Sequence, residues 1–133
     1  MRVIPHGRRF TGERGAAALE FGLVALLLIT LLLGICEAAY AFYAKGTVAG
    51  AAREAARNFA LTKNVTSAKD AAVNAGVGIA LTASEVSIPA DACDGATPNQ
   101  SVTVTISHTY TGITGFFGTT WTMDAEGTMR CNG

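Results

Sequence analysis

The stretch Ala16-Ala17-Ala18-Leu19-Glu20-Phe21, continuing as Gly22-Leu23-Val24-Ala25-Leu26-Leu27-Leu28-Ile29-Thr30-Leu31-Leu32-Leu33-Gly34-Ile35-Cys36, decides how this chain is read. It holds one charge, Glu20, and matches in length the ~20 residues a helix needs to cross the hydrocarbon core of a bilayer. A secretory signal usually has a shorter apolar region of about 7 to 15 residues, so the length favours a segment that stays in the membrane. A lipoprotein signal does not fit, because Ile35 precedes Cys36 where a small residue is expected. An intramembrane acid costs roughly 2.5 to 3.5 kcal/mol at a helix centre, so Glu20 asks for a partner.

Charge places this segment in a topology. Residues 1–15 carry Arg2, Arg8, Arg9 and Arg14 against Glu13, whereas the remainder has six basic and nine acidic residues, although the whole chain is neutral. Arginines beside an apolar run predict a cytoplasmic N-terminus and an exported C-terminal part, and they argue against nucleic-acid binding as the reason for the basic leader. The 133 residues, half of them hydrophobic, suit one membrane segment and one small domain. Tyr40, Phe42 and Tyr43 read as an aromatic belt at the outer interface.

Helical character continues outward. No proline interrupts Ala38 to Ala60, and Val48, Ala52, Ala55, Ala56 and Phe59 fall at 3 to 4 spacing in one narrow apolar stripe. A single helix from Ala16 to about Ala60 would be roughly 67 Å long. Its outer stripe must pack on the C-terminal domain or on neighbouring subunits. Glu54 and Arg57, three apart, could pair on its exposed side. A second helix is predicted from Ala68 to about Ile79, with Ser67 as N-cap and Asp70 completing an approximate capping box. Beyond Pro89 the period changes to two. Val102, Val104, Ile106, His108 and Tyr110 alternate with threonine and serine as a strand; Glu85 to Ile88 is a weaker one. Thr119 to Met123 and Gly127 to Cys131 form either one more strand or a bulged long one, after a glycine-rich turn over Thr111 to Gly118. The expected fold is α+β: a long N-terminal membrane-spanning helix continuing outward, then a short helix and a small antiparallel sheet. The predicted organisation is a basic leader (1–15), a transmembrane helix (16–37), an extracytoplasmic helix extension (38–62) and a small α+β domain (63–133). There is no internal repeat or low-complexity linker.

The residues around the apolar run resemble the TadE-like family of tight-adherence (Flp-type) pilus pseudopilins. The likeness rests on Arg14-Gly15-Ala16, Glu20-Phe21, Gly34-Ile35-Cys36-Glu37 and Ala51-Ala52-Arg53-Glu54-Ala55-Ala56-Arg57, and covers about residues 8 to 60. It implies a pilin-like precursor cleaved after Gly15 by a prepilin peptidase, with Ala16 as the new N-terminus and Glu20 as the fifth mature residue. It also implies assembly with other pilin or pseudopilin subunits and a pilus assembly platform, in a bacterial inner (cytoplasmic) membrane. The protein would be single-pass, with its C-terminal domain extracytoplasmic. Two positions depart from the family. Leu26 stands where members often have proline, which predicts a straighter helix, and Tyr40 stands where they often have arginine, which leaves Glu37 without an expected nearby cation.

Glu20 has two readings. It could bridge to the freed α-amino group of Ala16 on an adjacent subunit, or it could pair within its own chain, since Ala16 and Glu20 are four apart. Gly46-Thr47-Val48-Ala49-Gly50 and the pair Gly34/Ala38 have small-xxx-small spacing, suited either to helix packing in a filament or to no role. Cys93 and Cys131 could form a disulfide in an oxidising compartment or remain separate thiols, and Cys36 reads as a small buried hydrophobe. No Cys-x-x-Cys occurs, and His6 and His108 stand far apart, so no metal or cofactor is expected. His108 reads as a hydrogen-bonded, partly buried histidine on the apolar face of its strand. Phosphate-loop and nucleophile-elbow motifs are absent, so catalysis is not expected and the energy for assembly would come from a separate ATPase. The rival reading is a secreted or membrane-anchored binding module with an ordinary signal or anchor segment, released near Ala38 to Ala41.

Overall fold

In the computed structural model, residues 12–89, 91–95, 99–113, 115, 118 and 120–131 are described, with side chains from residue 15 onward. Most of the predicted basic leader, including Arg2, His6, Arg8 and Arg9, lies outside them. Helix α1 spans Gly12–Thr62, α2 spans Val65–Ala75, and a 3-10 turn at Ala83–Glu85 leads into β1 (Val86–Ser87), β2 (Ser101–Thr111) and β3 (Thr120–Arg130). The strands form one antiparallel sheet in the order β1-β2-β3, so the molecule is α+β as expected. The chain separates into one unit ending at Cys36 and a second beginning at Glu37.

The first unit is helical throughout its described part. Helix α1 is unbroken through Leu26, where no proline removes a backbone donor. Its apolar side chains from Leu19 to Ile35 are exposed, Phe21 to 75% and Leu27 to 66%. Thr30, the one hydroxyl in the run, donates to the Leu26 carbonyl at 2.8 Å and so leaves no unmet donor for an apolar surrounding.

The second unit has one core. Helix α1 contributes Val48, Ala51, Ala52, Ala55, Ala56 and Phe59, all buried, against Val102, Val104 and Ile106 of β2, with Ala68 and Ala72 of α2, Leu81 and Val86 filling the remainder. The small-residue stripe therefore packs on the chain's own C-terminal domain. Glu54 and Arg57 lie outside it, both exposed, and do not pair. The alanines let the sheet come close. Gly127 of β3, paired with Val104, lies against the α1 backbone, where a Cβ would collide with the Ala52 carbonyl and the Arg53 amide.

Helix α2 and the last strand differ from the sequence reading. Helix α2 begins three residues earlier, because Asn64, in extended conformation, accepts the Ser67 N–H at 3.1 Å and is the N-cap in place of Ser67. The Ser67 hydroxyl instead donates to Asn58 Oδ1 at 2.9 Å, which ties α2 to α1. Between the helices, Lys63 takes a positive φ of 52° and reverses the chain. The helix stops at Ala75 rather than near Ile79, since the Gly76 N–H caps Ala72 and Val73, and Leu81 packs where a Gly76 side chain would be. The second difference is in the sheet. The C-terminal pieces are one strand of 11 residues, in unbroken register with β2 from Ser101↔Arg130 to Thr111↔Thr120.

Candidate processing and assembly segment

Gly15 and Ala16 lie in the first turns of α1, which starts at Gly12 and so runs through the expected cleavage position. Gly15 is exposed and has open space where a side chain would be. Glu20 and Phe21 are exposed on the same helix. Glu20 stands one turn from Ala16, so the geometry admits pairing within one chain or between two.

The four positions read for helix packing are not brought together by the fold. Gly34 is half-exposed and Ala38 exposed, on successive turns of α1. Gly46 and Gly50 are exposed with nothing near the place of a Cβ, so they belong to the face of α1 that does not pack on the sheet. Cys93 and Cys131 are joined in a disulfide closing a separation of 38 residues, while Cys36 is a free cysteine exposed on the surface of α1. It is exposed because its stretch of α1 has no protein packed around it.

Two arrangements escaped the sequence reading. The first is Glu37, which is buried and accepts the Tyr110 hydroxyl and the Ile113 N–H on Oε1, each at 3.0 Å. Two neutral donors some 70 residues away in the chain thus bind this carboxylate. Burial, together with the hydrogen bond to Glu37 and its charge, raises the Tyr110 pKa above 10.0. Tyr40 is half-buried, and Tyr43 is exposed but tethered. Their hydroxyls donate to the Gly78 and Val77 carbonyls at 3.4 and 2.8 Å, and the Tyr40 ring packs on Tyr110, so of the expected aromatic belt Phe42 is the most exposed member.

The second is a groove of about 470 Å³ lined by Tyr40, Ile79, Thr82, Glu85, His108 and Tyr110, among others. In it His108 Nδ1 lies 2.8 Å from Glu85 Oε1, and His108 is buried on the core face of β2. Burial opposes ionisation of Glu85, but the Thr82 N–H and hydroxyl and the His108 ring together hold its carboxyl below the ordinary 4.5. Among the described residues no cluster of three or more histidine, cysteine or acidic side chains is placed to hold a metal ion.

Helix α1 is the one candidate membrane span among the described residues, near the N-terminus, and it fits a single-pass membrane protein. Residues 15–57 match the sequence model of the family described as TadE-like protein. The match begins at the expected processing glycine and ends inside the buried stripe of α1. No curated protein and no solved structure matches the chain.

Proposed function

From a chain whose residues 15–57 are TadE-like, we propose a pseudopilin or minor pilin that takes part in assembly of a tight-adherence (Flp-type) pilus or a related secretion filament. A prepilin peptidase removes residues 1–15, and Ala16 becomes the N-terminus of a single-pass protein of the cytoplasmic membrane. Its N-terminus faces the cytoplasm and its second unit lies outside. The role is structural rather than catalytic. Other pilin or pseudopilin subunits and the assembly platform are its partners, and a separate ATPase supplies the work. Glu20 registers one protomer on another by pairing with a neighbour's Ala16 ammonium.

The observation that carries this reading is the coincidence of the family match with the exposed apolar run that follows Gly15. The rival, release near Ala38 to Ala41, is disfavoured by the fold. That cut would separate Glu37 from the domain whose Tyr110 and Ile113 it binds. Sequencing the mature N-terminus in a host with the cognate peptidase tests the proposal. Ala16 is expected, and Gly15→Val should accumulate as the heavier precursor; a start near Ala38 would overturn it. Glu20→Ala should be inserted and cleaved yet fail to crosslink to partners, because removing one member of a buried pair costs about 3 to 5 kcal/mol. Wild-type crosslinking by this variant would assign Glu20 to its own chain.

A further inference from the structure

Residues 16–36 are read as membrane-spanning, and the second unit begins at the next residue, Glu37. Three tethers bring distant chain to that end. The Ile113 N–H and the Tyr110 hydroxyl both donate to Glu37, and the Tyr43 hydroxyl donates to the Val77 carbonyl. Trp121 stands opposite Tyr110 in the β2–β3 register. Helix residues 37 to 43 rise only about 9 Å, comparable with the ~5 to 8 Å polar layer on each side of the hydrocarbon core.

Exposed apolar surface gathers at the same end. Among the described residues the second unit exposes seven large apolar side chains, and five are here: Phe42 (77%), Tyr43 (50%), Val77 (71%), Ile113 (65%) and Trp121 (47%). The other two, Leu61 and Val65, belong to the opposite end of the core helix and the start of α2. The chain from Thr109 to Met123 contains no charged residue, so this part of the rim can meet lipid without dehydrating an ion of its own. Tyrosine and tryptophan among threonine and glycine is the composition that rests at the headgroup boundary, with rings toward the acyl chains and polar atoms toward water.

We propose that this rim, formed by Phe42, Val77, Ile113 and Trp121, is a membrane-contact surface seated in the interfacial layer of the leaflet from which α1 emerges. Its partner is the lipid headgroup and acyl boundary. The buried Glu37 acts as the clasp that holds the β2–β3 end at that depth. The surface goes beyond the pilus assignment and rests only on the membrane-spanning reading of α1.

Trp121 is the chain's only tryptophan and reports directly on the rim. The full chain, inserted in phosphatidylcholine and phosphatidylglycerol vesicles, should show blue-shifted Trp121 emission. That emission should be quenched more by lipids labelled near the headgroup than by lipids labelled deep in the acyl chain, and protected from acrylamide. Ile113→Asp, at an exposed position, should abolish the lipid quenching while the chain stays carbonate-resistant and keeps its Cys93–Cys131 bond. Phe42→Ser should weaken the quenching in the same way. A carbonate-resistant chain whose Trp121 is open to acrylamide and untouched by labelled lipid would overturn the surface and leave the membrane span standing. Trp121 shielded from both quenchers, increasingly so at high protein-to-lipid ratio, would assign the rim to a second copy and also overturn it. A chain extracted by carbonate would remove the membrane-spanning reading itself, and the surface with it.

Discussion

A single missing side chain lets β3 lie on α1. At Gly127 a Cβ would meet helix backbone, which cannot yield as a flexible side chain could, so even alanine must push the strand outward. Gly127→Val should destabilise the domain by about 3 kcal/mol, the upper part of the range for overpacking, whereas Gly50→Ala, in open space on the same helix, should change little or stabilise slightly. Thermal unfolding of the detergent-solubilised protein, followed by circular dichroism, measures both. Equal effects would mean that the close approach is not a constraint. Glu37 poses the converse problem, a buried carboxylate that must keep its donors. Tyr110→Phe removes one of them, so a loss of about 1.5 to 3 kcal/mol is expected in the same measurement, as for hydrogen bonds to charged groups.

Elements were legible where a pattern repeats often enough to outweigh any single residue. Helix α1 offered a long proline-free run and an alanine stripe; β2 offered five alternating core positions, Val102 to Tyr110, and all five are buried. Helix α2 is short; it was expected from Ala68 with Ser67 as N-cap, and its first residues, Val65 and Thr66, are β-branched and poor helix formers. Asn64, a strong N-cap, was the residue to weigh. Substituting Asn64 with Ala should cost about 1 kcal/mol, and Ser67→Ala should cost its bond to Asn58 without removing the cap. Hydrogen exchange of the α2 amides checks the distinction, since fraying at Val65 to Ser67 is expected only for the Asn64 variant. Contacts between remote elements left no such trace. Nothing local marks Tyr110 as the partner of Glu37, and a lone glycine in β3 reads as a break in the strand until a helix is seen beneath it. The apolar helical segment was the most legible part because its signals are local: run length and a single acid.

For the molecule as a whole, β2 couples the charged and neutral ends of the core. Val102, Val104 and Ile106 continue along one face into His108 and Tyr110, and those two bind Glu85 and Glu37. The two ionisations with shifted values oppose unfolding at opposite ends of the pH scale. The Glu85 carboxyl is held below 4.5 in the folded state, so its contribution is present above that value and is lost as pH falls through the folded pKa, where carboxylate bonded to Thr82 and His108 becomes protonated. Tyr110 is held above 10.0, so its contribution is present below that value and is lost as pH rises through the folded pKa, where a tyrosinate would face the Glu37 carboxylate. Stability should therefore form a plateau that falls on the acid side below about 4.5 and on the alkaline side above about 10. Glu85→Gln should flatten the acid fall and leave the alkaline one; Tyr110→Phe should do the reverse while lowering the plateau. Other carboxylates also titrate in acid, so the informative quantity is the difference between variant and parent at each pH. Chemical denaturation with the Cys93–Cys131 bond intact supplies it. Parallel curves for parent and Glu85→Gln through the acid range would show that Glu85 has the same affinity for its proton folded and unfolded, and would remove the clamp between the 3-10 turn and β2 from the account of stability.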